Sequence, residues 1–423
     1  MKHHATPVVK LEYSLTTGRD LPSLGFSLNS NYKMKILAIE TSCDETAISI
    51  LDCEKDTVNI LAHEINSQIE IHREFGGVFP AMAKREHSKN IIPVLETSLL
   101  KANLPSENFS VSEDLENELK KILEREVSLY ENLIPFLRKN NKPKIDCIAV
   151  TEGPGLEPAL WVGINFAKAI SFAWDIPIVP VNHMEGHIVS ALLETKSEEN
   201  TNIQKINEIE FPAISLLVSG GHTELVEIEN IGNYKVIGRT RDDAVGEAFD
   251  KVARLLGYPY PGGPQISAAA EIAQIKSIPR KSTFNLPRPM LHSGDFDFSF
   301  SGIKTAVLYM VEKIPELTDD IKMQIAKEFE DAVVEVLVSK TEKAIETYGA
   351  KTLVVGGGVI ANKKLKETLL ESLPHTRVLI PNKNLTTDNA TMIGVAGYMK
   401  INRSNNAFSN KLKAQGAMTL TKN

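Results

Sequence analysis

Residues 35–52 read KILAIETSCDETAISILD, an apolar run, a polar turn and a second apolar run. Two such runs joined by a short polar turn predict a strand hairpin. Residues 213–228, AISLLVSGGHTELVEI, repeat the plan with a glycine turn in place of the polar one. Each hairpin is followed at a distance by another apolar strand that ends in glycine, over 145–155 (IDCIAVTEGPG) and 351–358 (KTLVVGGG). Helical segments lie between them, such as Asn165–Trp174 and Gln324–Tyr348. Strand hairpins followed by alternating helices and strands predict α/β layers. The two-fold layout predicts duplicated halves, divided near the polar, linker-like run 194–210 (ETKSEENTNIQKINEIE). In such folds ligands bind at the carboxyl ends of the strands, between the halves.

The rest of the chain fits that frame. Its 423 residues allow two or three domains. The formal charge of −7, from 47 Lys+Arg against 54 Asp+Glu, speaks against a protein that coats nucleic acid. It leaves room for a nucleic-acid substrate held by a local patch. No apolar run approaches the roughly 18 residues that span a bilayer. Cys43, Cys53 and Cys147 lack zinc-ribbon spacing and are too few for a disulfide framework. Residues 1–33 show no period and read as a flexible extension, because Met34 opens the first strand directly. Glu12, Asp20 and only four Lys/Arg make that segment a poor organelle transit peptide. The stretch 110–137 reads as one inserted helix, with Leu115, Leu119, Ile122, Leu129 and Leu133 at helical spacing. Ser110 and Glu113 would form its capping box, and Pro135 would end it. Either it is a solvated helix packed on the first half, or it docks a partner.

The sharpest metal signal is His183-Met184-Glu185-Gly186-His187, which follows the apolar run 176–181 and so sits at a strand-to-helix junction. Two histidines four apart share one helical face and reach one cation. A zinc protease would carry glutamate directly after the first histidine, where this chain has Met184. Glu185 falls about 200° around the helix from His183. Asp388, in the loop of IPNKNLTTDNATMIG (380–394), stands in the second half at a place comparable to the histidines of the first. Two imidazoles and one carboxylate with open positions suit Fe(II) or zinc. A pair of ordinary helix histidines, and Asp388 as a helix N-cap, are the competing readings.

Three glycine turns add to this. Ser219-Gly220-Gly221-His222-Thr223 joins two strands and lets backbone N–H groups approach a phosphate. Gly356-Gly357-Gly358 precedes a helix and suits a nucleoside, and Pro261-Gly262-Gly263-Pro264 gives a third close approach. Neither a P-loop nor a dinucleotide fingerprint is present. Three such turns near strand ends point to a nucleotide-shaped ligand.

These residues carry a resemblance. IETSCDET (39–46), GGVFPAMAKREH (76–87), EGPGLEPALWVG (152–163), NHMEGH (182–187), LVSGGHTEL (217–225), GEAFDKVARLLG (246–257), YPGGP (260–264), DFSFSGIKTA (297–306), GGGVIAN (356–362) and TDNATMIG (387–394) occur in order. Together they resemble the tRNA threonylcarbamoyladenosine transferases, formerly called O-sialoglycoprotein endopeptidases, over residues 35–400. The resemblance implies an actin-like ATPase fold of two duplicated RNase H-like halves around a central cleft. Residues 34–211 would form the first half, with a helical insertion near 103–140 and the linker near 194–210. Residues 212–400 would form the second, and 401–423 a tail. It implies transfer of the threonylcarbamoyl group from threonylcarbamoyl-AMP to N6 of the adenine beside the anticodon, in tRNAs reading codons that start with A. His183, His187 and Asp388 match the family's metal ligands, usually assigned to iron (Fe2+), with Zn2+ the alternative. Leu217, Val218, Ser219, Gly220, Gly221, Asp250, Gly263 and Asn362 match its substrate-binding positions. Asn362 as the cap of the helix after the glycine turn is the plain alternative. Glu40, Asp44, Glu45 and Lys304 fall inside family motifs near the cleft without an assigned role.

Bacterial members of the family act with a paralogous actin-like partner and a small P-loop ATPase, and mitochondrial members act as homodimers. The resemblance therefore implies a tRNA substrate, such partners, no membrane, and the cytoplasm rather than the mitochondrion. The reading of a different class is an actin/Hsp70-like nucleotide-binding module without RNA chemistry. The histidine pair with Asp388 separates the two, since such ATPases hold Mg²⁺ mostly through carboxylates and water. A tRNA substrate also recasts the charge. Residues 107–126 hold seven Asp/Glu against three Lys/Arg, off the site. Arg73, Lys84, Arg85 and Lys89, and Lys363, Lys364 and Lys366, form local basic clusters.

Overall fold

The computed structural model describes residues 33–196, 201–276, 284–404 and 406–420. The extension lies outside the described residues except for Lys33, which opens the first strand one position before Met34. The first half begins with an antiparallel meander, β1 (Lys33–Glu40), β2 (Glu45–Glu54) and β3 (Thr57–Ser67). Helices α1 (Ile69–Arg73) and α2 (Pro80–Ala102) follow. The inserted segment is framed by a two-residue ladder, β4 (Ser106–Glu107) and β5 (Lys142–Pro143), around α3 (Glu113–Ile122) and α4 (Val127–Lys139). Then come β6 (Cys147–Gly153), α5 (Glu157–Trp174), β7 (Ile178–Asn182), α6 (His183–Ser190), β8 (Leu193–Thr195) and β9 (Ile203–Ile206). The sheet runs β7-β6-β1-β2-β3-β9-β8, with β6 and β7 parallel to β1.

The second half repeats this. A meander of β10 (Ala213–Val218), β11 (Thr223–Asn230) and β12 (Asn233–Arg239) leads to α7 (Val245–Leu255), α8 (Gly262–Ile275), α9 (Ser301–Glu312) and α10 (Asp319–Tyr348). It continues with β13 (Thr352–Gly356), α11 (Lys363–Ser372), β14 (Arg377–Leu379) and α12 (Ala390–Arg403). This sheet runs β12-β11-β10-β13-β14, with β13 parallel to β10 and β14 parallel to β13. A three-stranded meander extended by two parallel strands is thus built twice, which is the duplicated actin-like ATPase fold of two RNase H-like halves.

The central strand explains why the opening stretch is so apolar. Ile36, Leu37, Ala38 and Ile39 are all fully buried. Leu37 and Ile39 pack into one core with Ile91 and Leu95 of α2 and Leu160 and Ile164 of α5. Ile36 and Ala38 face the other side, into a core with Ile393 and Ala396 of α12. Alternate residues of a pleated strand face opposite sides, so a strand covered on both faces reads as one continuous apolar run.

Three expectations about organisation change. First, residues 194–210 do more than link the halves: β8 and β9 pair with each other, and β9 with β3, extending the first sheet. Ile206 packs on the core and Gln204 is buried on the same side, which a polar-looking segment conceals; residues 197–200 lie outside the described residues. Second, the insertion is two helices. Ser112, not Ser110, caps α3 by accepting the Leu115 N–H at 3.2 Å, and Pro135 lies inside α4. Burial of Ile134, Phe136 and Leu137 carries α4 past the hydrogen bond that proline removes, a loss of roughly 3 kcal/mol. The insertion packs on α2 and α5, and the buried Glu126 pairs with Lys84 at 3.0 Å.

Third, the chain does not stay in the second half to residue 400. α12 crosses back to lie on β1, β2, β6 and β7. Its Thr391 hydroxyl meets Ser49 Oγ at 2.9 Å and His63 Nδ1 at 2.8 Å. A Cβ at Gly394 would lie 2.4 Å from Leu51 Cδ1, so only glycine lets the helix come this close. The tail is fastened to the first half as well. Ser409 N–H donates to Ile178 O, Gln415 N–H to Glu152 O, and Gly155 N–H to Gly416 O. Among the described residues no helix is long and apolar enough to cross a membrane.

Candidate metal centre

Helix α6 starts where β7 ends. Asn182 caps it, its Oδ1 accepting the N–H groups of Met184 at 2.8 Å and Glu185 at 3.3 Å. His183 opens the helix and His187 follows one turn later, their rings edge to face with centroids 4.7 Å apart. From the far end of the sequence Asp388 reaches both: its Oδ1 lies 3.4 Å from His183 Nε2 and 3.2 Å from His187 Nε2. One ligand atom from each of the three residues falls within 4.8 Å of the others. Asp388 is not the cap of α12. Asn389 is, with its Oδ1 accepting Met392 N–H at 3.0 Å.

His187 is fully buried, yet neither of its ring nitrogens makes a hydrogen bond. Its approach to Asp388 lacks hydrogen-bond alignment, although the distance would permit one. A buried polar group without a partner needs a reason. Two imidazole nitrogens and a carboxylate oxygen converging on one point fit a divalent cation with open coordination positions. Glu185 faces the opposite side, where it accepts from Tyr234 Oη at 3.0 Å and Arg403 Nη2 at 2.7 Å. It is therefore no general base for this centre.

Glu40, at the end of β1, is fully buried behind His183. Its Oε2 lies 3.0 Å from His183 Nδ1 and accepts the Thr151 hydroxyl at 2.6 Å, while Oε1 accepts Ser42 N–H. Burial alone would raise Asp388 and Glu40 and lower His183. The attraction of His183 for each carboxylate outweighs both burial and the repulsion between the two carboxylates, holding Asp388 well below and Glu40 below the usual carboxylate range, with His183 well above an ordinary imidazole. His222 of the glycine turn is pushed down to about 4 by burial and then by His183 and His187. Glu45 is driven well up by burial and then by Asp44 and Asp388.

The glycine turns divide unequally. Ser219–Gly221 is open: Ser219 N–H donates to His222 O at 2.8 Å, and a Cβ on Gly220 or Gly221 would meet nothing. Leu217 and Val218 are fully buried strand residues whose side chains belong to the core. At Gly356–Gly358 the first two glycines serve packing, while a Cβ on Gly358 would meet nothing. A Cβ on Gly356 would lie 2.8 Å from His187 O, and one on Gly357, whose φ is +92°, would lie 2.3 Å from Val218 O. This turn therefore presses β13 against α6 and the start of the Ser219 turn.

Asp250 Oδ1 accepts Gly262 N–H at 2.7 Å, fixing the turn that leaves Gly263 open. Burial raises Asp250, against the backbone hydrogen bonds that lower it. Asn362 caps α11, accepting Leu365 N–H at 2.8 Å, so the plain alternative describes its oxygen. Its amide nitrogen donates to Ser267 Oγ at 2.8 Å and Glu330 Oε1 at 2.7 Å. Lys304 lies in the first turn of α9, and Asp44 is buried beside Glu45. Across the mouth of the cleft, Arg73 Nε donates to Tyr260 O at 3.0 Å and Arg254 to Gly76 O. In the basic cluster, Arg85 and Lys89 both approach Glu86 at 3.5 Å. Sequence reasoning left Glu40 without a role and passed over Thr151, Ser267 and Glu330. Only Glu40 carries a signal in the sequence, as an acid that closes the apolar run 36–39.

The family model for TsaD, tRNA N6-adenosine threonylcarbamoyltransferase, matches residues 59–111 and 133–395, leaving α3 in the gap. The chain belongs to this family. A tRNA N6-adenosine threonylcarbamoyltransferase of Chromobacterium violaceum is 41% identical over 374 residues, covering 87% of this chain and 93% of its own. That of Bacillus cereus is 42% identical over 366 residues, covering 86% and 90%. Among solved structures, full-length HypF in its phosphate- and nucleotide-bound form aligns with a TM-score of 0.49 at 15% identity, over 87% of this chain and 46% of its own. Within the threonylcarbamoyltransferase family match lie His183, His187 and Asp388 together with every candidate substrate-binding position named above.

Proposed function

We propose that the chain transfers the threonylcarbamoyl group of threonylcarbamoyl-AMP to N6 of the adenine 3′-adjacent to the anticodon, in tRNAs reading codons that start with A. Family membership supports the activity. The single observation that supports its location is the meeting of His183, His187 and Asp388 beside the Ser219–Gly221 turn. A mixed anhydride with AMP is already activated, so the protein has mainly to orient it and steady developing charge. The open backbone at Gly220 and Gly221 suits the phosphate, and Gly263, with Asp250 behind it, suits the nucleoside. Asn362 orders that wall through its cap and its bonds to Ser267 and Glu330.

His183, His187 and Asp388 would hold the metal, with Fe2+ proposed and Zn2+ the alternative. When bound, such a cation supplies a Lewis acid for the carbamoyl oxygen. The proposed assembly is cytoplasmic and joins the tRNA to a paralogous actin-like partner and a small P-loop ATPase, with a homodimer as the alternative. The test is incubation of the purified chain, with and without such partners, with tRNA and labelled threonylcarbamoyl-AMP. Label on the tRNA is the expected result. Unlabelled tRNA in the presence of metal and partners overturns the reading.

A further inference from the structure

We infer that Glu40 is the positioning residue of the metal centre: it fixes His183 in the form that carries its proton on Nδ1 and turns Nε2 toward the cation. This rests on the proposed metal reading, since it concerns how the chain prepares one of the three ligands. The argument is one of hydrogen-bond supply. Glu40 is fully buried, and it has two oxygens and three donors around it. Oε1 takes Ser42 N–H, and Oε2 takes the Thr151 hydroxyl at 2.6 Å and faces His183 Nδ1 at 3.0 Å.

A carboxylate has lone pairs only, so the proton in the contact with His183 sits on the imidazole. The ligating nitrogen follows from this network. With Nδ1–H committed to Glu40, Nε2 is the nitrogen that faces Asp388 Oδ1, 3.4 Å away, and the ring edge of His187, and so the one left to give up its proton to a cation seated between them. Ser42 Oγ, 3.2 Å from the same Nδ1, then acts as a second acceptor or bonds elsewhere. Imidazole ligands of metals characteristically give their other N–H to a carboxylate or carbonyl, which sets ring orientation and raises basicity.

His187 has no counterpart. Neither of its ring nitrogens has a hydrogen-bond partner, so its orientation comes from burial alone. The two histidines are therefore unequal: His183 is held by an ionic hydrogen bond and His187 by packing. Glu40 also connects the ligand to its own sheet. It stands at the end of β1, its partner Thr151 stands on β6, and His183 follows β7, so the ends of three adjacent parallel strands meet at this carboxylate.

Glu40→Gln is the discriminating change. It is nearly isosteric, but the amide places an NH2 where an acceptor is required. Either Ser42 N–H or the Thr151 and His183 pair then faces a donor, and His183 Nδ1 is pressed to accept, moving its proton to the ligating Nε2. The experiment measures zinc affinity of the full chain by chelator competition, zinc being redox-inert, alongside thermal melting without metal. The expected result is zinc binding by the wild type and an affinity about 10–100-fold weaker in Glu40→Gln. A second readout is the imidazole N–H region of the proton spectrum of the zinc-loaded protein with labelled histidine. The wild type should give a far-downfield Nδ1–H resonance from His183, which moves upfield or vanishes in the variant.

Equal zinc affinity in wild type and variant overturns the inference while leaving the metal reading standing. No zinc or iron binding by the wild type removes the metal reading, and the inference with it. If Glu40→Gln does not fold, the wild-type spectrum still decides: a zinc-loaded protein without a carboxylate-bonded Nδ1–H on His183 overturns it.

Discussion

Asp388 and Asn389 are neighbours with separate duties at the start of α12. Asn389 closes the helix by accepting Met392 N–H at 3.0 Å, which leaves the Asp388 carboxylate free to stand 3.2 Å from His187 Nε2. Substitutions at the two positions should therefore differ in their effect on zinc. Asn389→Ala loses a cap worth about 1 kcal/mol and should lower the melting temperature of the metal-free chain. Asp388→Asn removes the carboxylate that attracts His183, so the metal-free chain should also melt lower, while zinc binding weakens far more than in Asn389→Ala. Both effects are read by calorimetry and chelator competition on the same preparations.

Metal should stabilise the fold through mass action. At free zinc a hundredfold above its dissociation constant the gain is about 2.7 kcal/mol, seen as a rise in melting temperature that a chelator reverses. His187→Ala removes a fully buried ligand and should abolish that response. A zinc-induced shift of unchanged size in this variant contradicts the assignment.

Acid should weaken the fold through its buried neutral histidines. His87 accepts the Thr46 hydroxyl at Nδ1, 2.8 Å, and donates from Nε2 to Cys43 O, 3.0 Å, so it is built in as the neutral ring. Burial holds its pKa below the ordinary value, as it does for His63. With the folded value depressed, the unfolded chain binds more protons as pH falls. The contribution of these two rings is therefore level above about pH 6.5, the unfolded value, and declines below it. Denaturant midpoints across that range check the slope, and His87→Gln should flatten it.

Close packing of α12 on the first sheet gives a steric prediction. Gly394→Ala places a methyl group 2.4 Å from Leu51 Cδ1 and 3.1 Å from Ala38 Cβ. Overpacking of this kind costs roughly 1–3 kcal/mol. Because α12 begins two residues after Asp388, zinc affinity should fall together with stability.

The tRNA affinity of the isolated chain should be weak and steeply salt-dependent. The chain carries −7 overall, and within the basic cluster Lys84 is taken up by Glu126 while Arg85 and Lys89 share Glu86. Filter binding over a salt series tests this. Tight binding at physiological salt by the chain alone would contradict it.

What could be read in advance follows from burial. The strands at the centre of each half are covered on both faces, so 35–52 and 213–228 announce themselves as apolar runs, and their repetition discloses the duplication. The histidine pair is legible because helical spacing places both rings on one face. Edge strands such as β8 and β9 are half polar and read as a linker. Ser110 and Ser112 are equally good caps on paper, and only the packed start of α3 chooses between them. Glu40 and His183 are 143 positions apart, and nothing local in either segment reveals that they touch. The return of α12 was hidden for a similar reason: its destination is a sheet assembled mostly from the first 182 residues.

That return has a consequence for the order in which the molecule is made. The histidines emerge with the first half of the chain, but the third ligand precedes the last helix, and both must be laid on a sheet finished some two hundred residues earlier. A nascent chain still lacking α12 therefore holds two donors and an uncovered apolar sheet face. The three side chains can converge only after α12 has been made and laid down, so a cation they hold would be a chemical mark that this helix has docked.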